Sequence, residues 1–446
     1  MIRGIRNRFE GFLANPHFKE VFKGGVITFG AKICTLLLGF FTTWFISTRY
    51  GADALGQLSL LSSLVSMIII FTVMGLNNSL LRLVPEYLQK YSYGSALLVF
   101  RKSAVLVGIA GIFAALLYAM FHLEIATRIF HKGELAWLFL LASPLIFVQS
   151  LFNVNIAFIQ AMKKIRMLTF FQLFQPLLFT VAVVGGTWVA GGKNLPVYAQ
   201  AFVNVTLLAV SAVVIYKSFC TKRQRTDGYK GIGGSELLAM SLPMMMTGVF
   251  TAVLFQTDTI MLGMFKTVED VGVYAVVMKI AGFSSFFLVA INTIAAPKFS
   301  ELYHGGKMDD LQHVARQSSK VLVIISLLIT LLLVLFGKGV LGFFGGDFTL
   351  GYTALLFILF GQLINAWTGS VGHLLNMTGH QKLLQYIVLA AAILNVALNY
   401  FLIQAYGLLG AAVASMVSMV FINSAASYAV YRKLNVTVIY IPWGKR

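Results

Sequence analysis

The chain has 446 residues, of which 59% are hydrophobic and only 11% are charged. A soluble domain carries roughly 25% charged residues, so this composition excludes a water-soluble fold and makes the bilayer the main solvent. The net charge of +19 does not indicate nucleic-acid binding, because the basic residues lie in short stretches between apolar runs rather than in one patch.

The first 24 residues predict an amphipathic segment on the cytoplasmic surface. Ile2, Ile5, Phe9 and Phe12 recur at helical spacing with arginines between them. A disordered basic tail is the alternative interpretation.

Long apolar runs then follow one another along the chain and predict about twelve transmembrane helices. The lipid leaves no partner for an unpaired backbone group, and the short alternating strands of a β-barrel are missing from the sequence. We therefore expect an all-α polytopic membrane protein. The predicted spans are 25–47, 54–76, 103–121, 135–158, 167–190, 196–216, 237–264, 270–295, 319–343, 351–376, 383–404 and 408–431.

The distribution of basic residues predicts the orientation of the spans. Of the 34 lysines and arginines, 26 lie in the loops, termini and span ends on the side of the N-terminus, 6 lie in the loops and span ends on the other side, and Lys32 and Lys279 lie within spans. Since cytoplasmic loops carry the excess of Lys and Arg, both termini are predicted to be cytoplasmic.

The two halves of the sequence resemble each other at an offset of about 216 residues. Gly56 in ADALGQLSL corresponds to Gly272 in VEDVGVYAV, and Arg101 corresponds to Arg316. Six spans per repeat is an even number, which predicts two lobes related by an axis along the membrane normal. The predicted organisation is an N-terminal segment at 1–24, an N-lobe at 25–217, a cytoplasmic linker at 218–235, a C-lobe at 236–432 and a cytoplasmic tail at 433–446.

Several motifs resemble those of the polysaccharide transporter family, whose members flip undecaprenyl-linked O-antigen and similar repeat units. The matching stretches are TRYGADALGQLSLLSSLVSMI, VMGLNNSLLRLVPEYLQK, FQTDTIMLGMF, VGVYAVVMKIAGF and IQAMKKIRMLTFFQL. The resemblance includes an aspartate near the outer end of the seventh span and a Gly-x-Tyr at the start of the eighth, here Asp258, Gly272 and Tyr274.

The resemblance implies a MATE-like fold and a flippase that moves undecaprenyl-pyrophosphate-linked oligosaccharide to the outer leaflet of the bacterial inner membrane by alternating access. The expected partners are this lipid-linked cargo, membrane lipid and a polymerase or ligase of the same pathway, with no nucleic acid, and the expected state is a monomer. A drug or cation antiporter of the same fold is the alternative. A membrane glycosyltransferase or polymerase is disfavoured because the longest predicted outer loop, 122–134, is short.

Ionisable residues at membrane depth are the first candidates for the transport site. Lys32 lies in the first span, Asp258 in the seventh and Lys279 in the eighth. Lysines facing a cavity would lower the cost of moving a pyrophosphate across a low-dielectric region, whereas a carrier of cations would need buried carboxylates. Lys32 is also close enough to the cytoplasmic surface to snorkel.

Neutral amides in the spans are further candidates for binding sugar hydroxyls, although interhelical hydrogen bonding explains most of them equally well. The amides selected as cavity candidates are Gln149, Asn153, Gln256 and Asn365. No catalytic constellation, metal site or cofactor is predicted, and the chain is not expected to be an enzyme. The coupling ion, a proton or sodium, stays open, with Asp258 as its candidate site.

Asp258 and Lys279 are predicted to lie at similar depths in consecutive spans. Opposite charges at one depth tend to face each other in a membrane protein. We therefore expect them to face one cavity and to pair, directly or through water, in at least one state.

Overall fold

The structure is a computed structural model, and it describes residues 16–189, 191–220 and 231–438. The described residues form helices and connecting turns without a β-strand, as the composition predicts. Parts of three predicted segments lie outside the described residues: 1–15 of the N-terminal segment, 221–230 of the linker and 439–446 of the tail.

Thirteen helices of seven residues or more follow one another in the described part of the chain. They are α1 (Pro16–Val73), α2 (Leu76–Lys90), α3 (Tyr93–Met120), α4 (Ala136–Ala161), α5 (Ile165–Val189), α6 (Leu195–Ile215), α7 (Gly234–Phe265), α8 (Val268–His304), α9 (Met308–Gly342), α10 (Tyr352–Thr368), α11 (Val371–Met377), α12 (Gln381–Tyr406) and α13 (Leu408–Leu434).

Helix α1 contains the first two predicted spans. Its 58 residues would extend roughly 87 Å at 1.5 Å per residue, far more than one bilayer crossing needs. Gly51, with φ of 82°, breaks the helix into two arms, because glycine adopts this left-handed conformation without a Cβ clash. Eleven described helices, α1 among them, are long and apolar enough to cross a membrane. With two crossings in α1, they agree with the prediction of about twelve.

The tenth predicted span is not one continuous helix. The sequence predicts a helix over 351–376, but the chain breaks at Gly369 between α10 and α11. Gly369 has φ of 67°, and a Cβ on it would lie 2.1 Å from Ser319 Oγ on α9. The prediction was wrong at this point because hydropathy does not detect a single glycine that turns the backbone against a neighbouring helix.

The described chain divides into two compact units. The first unit comprises the described residues within Met1–Thr42, Thr72–Ile112 and Phe147–Leu242, and the second comprises those within Thr43–Phe71, Phe113–Ile146 and Pro243–Arg446. These units do not coincide with the predicted lobes at 25–217 and 236–432, because parts of α1, α3 and α4 pack with α7–α13. The lobe boundaries stay a prediction.

Each unit contains a hydrogen bond from a basic side chain to the backbone of the segment that follows its half of the chain, although the residues are not equivalent in the repeat. In the first unit, Lys102 Nζ donates a 2.5 Å hydrogen bond to the carbonyl oxygen of Ile232, beyond the last helix of the first half. In the second unit, Arg316 Nε donates a 3.0 Å hydrogen bond to the carbonyl oxygen of Thr437, beyond α13. A basic side chain near the start of a span thus holds the segment that follows each half.

The turn between α7 and α8 is short, and the start of α8 is capped by a side chain. Thr267 caps α8: its hydroxyl accepts the backbone N–H of Asp270, and Asp270 in turn accepts the backbone N–H of Thr267. This reciprocal capping box satisfies two of the free N–H groups at the helix start. The capped turn sets where the polar side chains of α7 and α8 lie in the second unit.

Candidate functional site: a buried aspartate and a half-buried lysine

Asp258 lies inside α7, seven residues before the helix ends at Phe265. At 1.5 Å per residue it is about 10 Å from that end. Its side chain is buried, with 2% of its surface exposed. A carboxyl group in such a place needs hydrogen-bond donors or a positive partner to offset its lost hydration.

Four neutral side chains donate hydrogen bonds to Asp258. The Tyr274 hydroxyl donates to Oδ2 at 2.8 Å, and the Ser415 hydroxyl donates to the same oxygen. Asn399 Nδ2 donates to Oδ1 at 2.5 Å and Asn395 Nδ2 donates to it at 3.1 Å. Helices α7, α8, α12 and α13 thus meet at one carboxyl group, and we call these five residues the Asp258 cluster.

The donors of the Asp258 cluster are arranged by helix geometry. Asn395 and Asn399 are four residues apart on α12, so they lie on one face, and Asn399 Nδ2 also donates to Asn395 Oδ1 at 3.0 Å. Tyr274 and both asparagines are buried, whereas Ser415 is half-buried. The buried Asn399 Oδ1 receives no hydrogen bond. The cluster therefore combines a carboxyl group with an amide oxygen that has spare acceptor capacity.

The oxygens of the Asp258 cluster suit a proton or a hard cation. Carboxylate, amide and hydroxyl oxygens are the ligands that such cations prefer. Among the described residues, three or more His, Cys, Asp or Glu side chains do not come together in an arrangement that would hold a metal ion.

Lys279 lies on α8 and is half-buried. Its Nζ donates a hydrogen bond to the hydroxyl of Thr43, which is buried on α1. The second unit therefore holds an ammonium group between α1 and α8, within the apolar part of the helices.

The predicted pair of Asp258 and Lys279 does not form in this structure. Asp258 accepts its four hydrogen bonds from neutral side chains, and Lys279 donates to Thr43. Tyr274 and Lys279 are five residues apart on α8, which places them roughly 140° apart around the helix axis. The similar depth of Asp258 and Lys279 stays a prediction, and in this structure α8 turns Tyr274, not Lys279, toward Asp258.

The other predicted candidates are distributed over both units. In the first unit, Lys32 is exposed, Gln149 is half-buried and Asn153 is exposed, with Asn153 Nδ2 donating to the Gln149 carbonyl oxygen at 2.9 Å. In the second unit, Gln256 is half-buried. None of these four joins the Asp258 cluster, and their role as cavity residues stays a prediction.

Asn365 belongs to a separate polar contact in the second unit. Asn365 Nδ2 and Gln362 Oε1 are 3.5 Å apart, and the Ser285 hydroxyl donates to the same Gln362 oxygen at 2.5 Å. This arrangement joins α8 to α10 and matches the interhelical interpretation of the amides.

Sequence reasoning predicted Asp258 as a site residue and missed the other four members of the cluster, Tyr274, Asn395, Asn399 and Ser415. Tyr274 was identified through the family motif without a partner, and Ser415 was not considered. Asn395 and Asn399 share a helix face in the sequence, and this spacing was the available signal that a polar group faces them.

Comparison with known proteins identifies the family. The model of the family described as "Polysaccharide biosynthesis protein" matches residues 21–303, more than half of the chain, and the MatE model matches residues 243–401. A "Probable low-salt glycan biosynthesis flippase Agl15" of Haloferax volcanii is 22% identical over 162 residues, which cover 36% of this chain and 34% of that protein. The match thus spans about a third of that relative's length.

Solved structures of three membrane proteins share the fold at 13% sequence identity. A multidrug resistance MATE family transporter of the MOP superfamily, in an inward-facing conformation, has a TM-score of 0.75, with 92% of this chain and 98% of that chain covered. The lipid II flippase MurJ, in an inward closed conformation, has a TM-score of 0.72, with 91% and 87% covered. A MOP superfamily transporter from Pyrococcus furiosus has a TM-score of 0.62, with 92% and 94% covered. The chain belongs to the polysaccharide biosynthesis protein family and is a multi-pass membrane protein with the MATE fold.

Proposed function

We propose that the protein is a flippase that moves a lipid-linked oligosaccharide across the bilayer by alternating access, with undecaprenyl pyrophosphate as the lipid carrier and an O-antigen-type repeat unit as the glycan. Membership of the polysaccharide biosynthesis protein family supports the class of cargo. The MATE fold supports a transport mechanism rather than catalysis, since its solved relatives are transporters and a flippase.

The observation that carries the proposal is the position of Lys279. An ammonium group within an apolar helix is costly and marks a functional residue by default. The Lys279 ammonium group, which donates a hydrogen bond to the Thr43 hydroxyl, is a charged donor for an anion that enters the membrane. A pyrophosphate has the charge and the acceptor oxygens that such a donor binds most strongly.

The test is a flipping assay with purified protein in liposomes and a fluorescent undecaprenyl-pyrophosphate oligosaccharide. Lys279→Ala is expected to reduce the flipping rate at least about tenfold, while Lys279→Arg retains most of it because the charge stays. Lys193→Ala is the matched control, because Lys193 is exposed outside the helices. Full activity of Lys279→Ala would remove Lys279 from the mechanism, and an inactive wild-type protein would contradict the proposed cargo.

We further propose that the Asp258 cluster binds the coupling cation, a proton or sodium. The four hydrogen bonds to its carboxyl group come from neutral side chains. The buried Asn399 Oδ1 adds an oxygen with spare acceptor capacity. A bound cation would neutralise the carboxylate and would be released when the helices move apart. Imposing a sodium gradient and a proton gradient separately in the flipping assay identifies the ion.

A drug or cation antiporter of the same fold is the second candidate function. The Asp258 cluster favours it, because a buried carboxyl group without a basic partner also suits a cationic substrate. The same liposomes loaded with a lipophilic cationic dye distinguish the two. Dye efflux that depends on Asp258, without glycan flipping, would establish the antiporter.

The cellular setting follows from the proposed function. We infer a bacterial inner-membrane location with both termini in the cytoplasm, a monomeric transporter without catalytic activity, and a polymerase or ligase of the same pathway acting on the flipped glycan. The excess of Lys and Arg on the side of the termini supports the orientation. Protease accessibility of terminal tags in right-side-out vesicles tests it.

A further inference from the structure

Side chains of α9 hold the chain where it continues beyond α13. The backbone N–H of Thr437 donates a 3.0 Å hydrogen bond to Gln312 Oε1, and Arg316 Nε donates one of 3.0 Å to the Thr437 carbonyl oxygen. Val436 and Val438, on either side of Thr437, are buried. The last described stretch of the chain is therefore a fixed part of the second unit.

Val438 belongs to an apolar cluster that also includes residues of α8 and α11. Phe299 and Leu302 come from the last turns of α8, and Leu374 and Leu375 come from α11. All four side chains are buried. The last described residue of the chain thus lies in the core that packs α8 and α11 together.

A cavity of about 570 Å³ is lined by the same two helices. This volume falls within the range of roughly 300–1,000 Å³ that is usual for ligand sites. The lining residues are Ala296, Ser300, Glu301 and His304 of α8 and Met377 of α11. Met377 also packs against the apolar cluster, so the cavity borders the core that contains Val438.

The cavity presents apolar groups and a carboxylate. Ala296 is buried and Met377 is half-buried, whereas Glu301 is exposed. Glu301 Oε1 lies 2.7 Å from Lys298 Nζ, but the side chains of this ion pair are 67% and 41% exposed. Such a pair contributes little, and a carboxylate accepts hydrogen bonds at about four positions, so Glu301 can bind a further cation. An occupant with apolar and aromatic side chains next to basic ones matches these groups, since a methionine thioether makes favourable contacts with aromatic rings.

The sequence that follows Val438 has this composition. Residues 439–446 read IYIPWGKR, in which isoleucines, a tyrosine and a tryptophan precede a lysine and an arginine. Fully extended, a segment of this length reaches roughly 26 Å, which exceeds two helix diameters of about 10 Å each. Since the cluster and the cavity share α8 and α11, this length reaches from one to the other.

We propose that residues 439–446 bind in this cavity, with their apolar side chains against Ala296 and Met377 and their two basic residues beside Glu301. The place where the described chain ends, the reach of the segment and its match to the lining support this occupant. The bound segment extends the contact that begins at Thr437 and links α8 to α11 more firmly. Its binding requires neither the cargo nor the coupling ion of the proposed function.

The test measures how well the segment shields Ser300. Ser300→Cys, in a protein with Cys34→Ser and Cys220→Ser, is purified in detergent and treated with a maleimide. Deletion of residues 439–446, which keeps the anchored Thr437, is expected to raise the labelling rate about tenfold, because a segment bound about nine-tenths of the time leaves only the remainder reactive. Synthetic IYIPWGKR peptide, added at concentrations on the order of the millimolar effective concentration of a tethered segment, should slow the labelling again.

The matched control for the deletion is Ser235→Cys, at an exposed position near the start of α7. It is expected to label at the same rate with and without residues 439–446. Trp443→Ala changes the segment without a deletion and should also raise the labelling of Ser300→Cys. Trp188→Ala, at an exposed tryptophan near the end of α5, should leave that labelling unchanged.

Equal labelling of Ser300→Cys with and without residues 439–446 would overturn the proposal. So would a rise that follows deletion of residues 2–15 instead, because the N-terminal segment would then be the occupant. Oxidation of a protein with Ser300→Cys and Gly444→Cys is expected to form a disulfide within one chain. A disulfide-linked dimer would assign the cavity to a second copy and would overturn the proposal as well. A flipping assay without activity leaves these results standing, because labelling needs no cargo.

Discussion

The hydroxyl of Tyr274 donates a 2.8 Å hydrogen bond to Oδ2 of Asp258, and both side chains are buried. The bond joins α7 to α8 and includes the tyrosine of the Gly-x-Tyr motif. Gly272, two residues before Tyr274, lies against α1: a Cβ on Gly272 would lie 1.9 Å from the Ala52 carbonyl oxygen, and a Cβ on Gly56 would lie 1.9 Å from that of Val268. One short stretch of α8 therefore contributes both to the Asp258 cluster and to the close contact between α8 and α1.

Tyr274→Phe is expected to weaken the Asp258 cluster. It removes one donor from a buried carboxyl group that keeps three others, which should cost about 1 kcal/mol. The apparent Tm in detergent should fall, and the cation dependence of flipping should shift to higher cation concentration. Tyr352→Phe is the control, since the Tyr352 hydroxyl donates to the Val334 carbonyl oxygen at 2.7 Å in an exposed contact. A matching shift of the cation dependence in both variants would contradict a specific role for Tyr274.

Asp258→Asn is expected to abolish the dependence of flipping on the coupling cation. The amide carries no charge to be neutralised, and its nitrogen adds donors where Asn395 and Asn399 already donate. Asp347→Asn, at an exposed acidic residue, should behave as wild type. Flipping by Asp258→Asn that still responds to an imposed cation gradient would exclude the cluster as the coupling site.

The hydrogen bonds of Asp258 and Lys279 to different side chains predict that their contributions to stability are additive. Residues without a shared partner usually show coupling below about 0.5 kcal/mol in a double-mutant cycle. Asp258→Asn, Lys279→Met and the double variant should therefore shift thermal stability independently. Coupling well above this level would mean that the two charges interact in a populated state other than the one described here.

Gly369→Ala is expected to destabilise the protein more than Gly379→Ala. Both glycines have positive φ, 67° and 83°, so each substitution should cost roughly 1–2 kcal/mol for the left-handed backbone. Only at Gly369 would the new Cβ collide with Ser319 Oγ, at 2.1 Å, whereas at Gly379 it would meet no atom within 4 Å. Thermal unfolding of the two variants measures the difference. Equal Tm values would contradict the claim that packing against Ser319 requires glycine at position 369.

Local sequence determined the class of this protein and most of its helices. A bilayer requires long apolar runs and satisfies each backbone group within a helix, so composition and hydropathy located the helices. Their ends were less well predicted, since α3, α8 and α9 extend beyond the predicted bounds to Tyr93, His304 and Met308. The repeat was also readable, because Gly56 and Gly272 recur at the offset that the structure shows as a reciprocal contact. The helix break at Gly369 could not be predicted from the sequence, since it arises from contact with Ser319 on another helix.

Only the tertiary structure decided how each helix is rotated about its axis. In a soluble helix the polar face indicates the rotation, but a helix in lipid is apolar on nearly every side and carries little such signal. Depth along the helix therefore suggested that Asp258 and Lys279 face each other. The packing of α8 instead turns Tyr274 toward Asp258 and Lys279 toward Thr43. The partners of a buried charge come from distant parts of the chain, and packing between helices selects them.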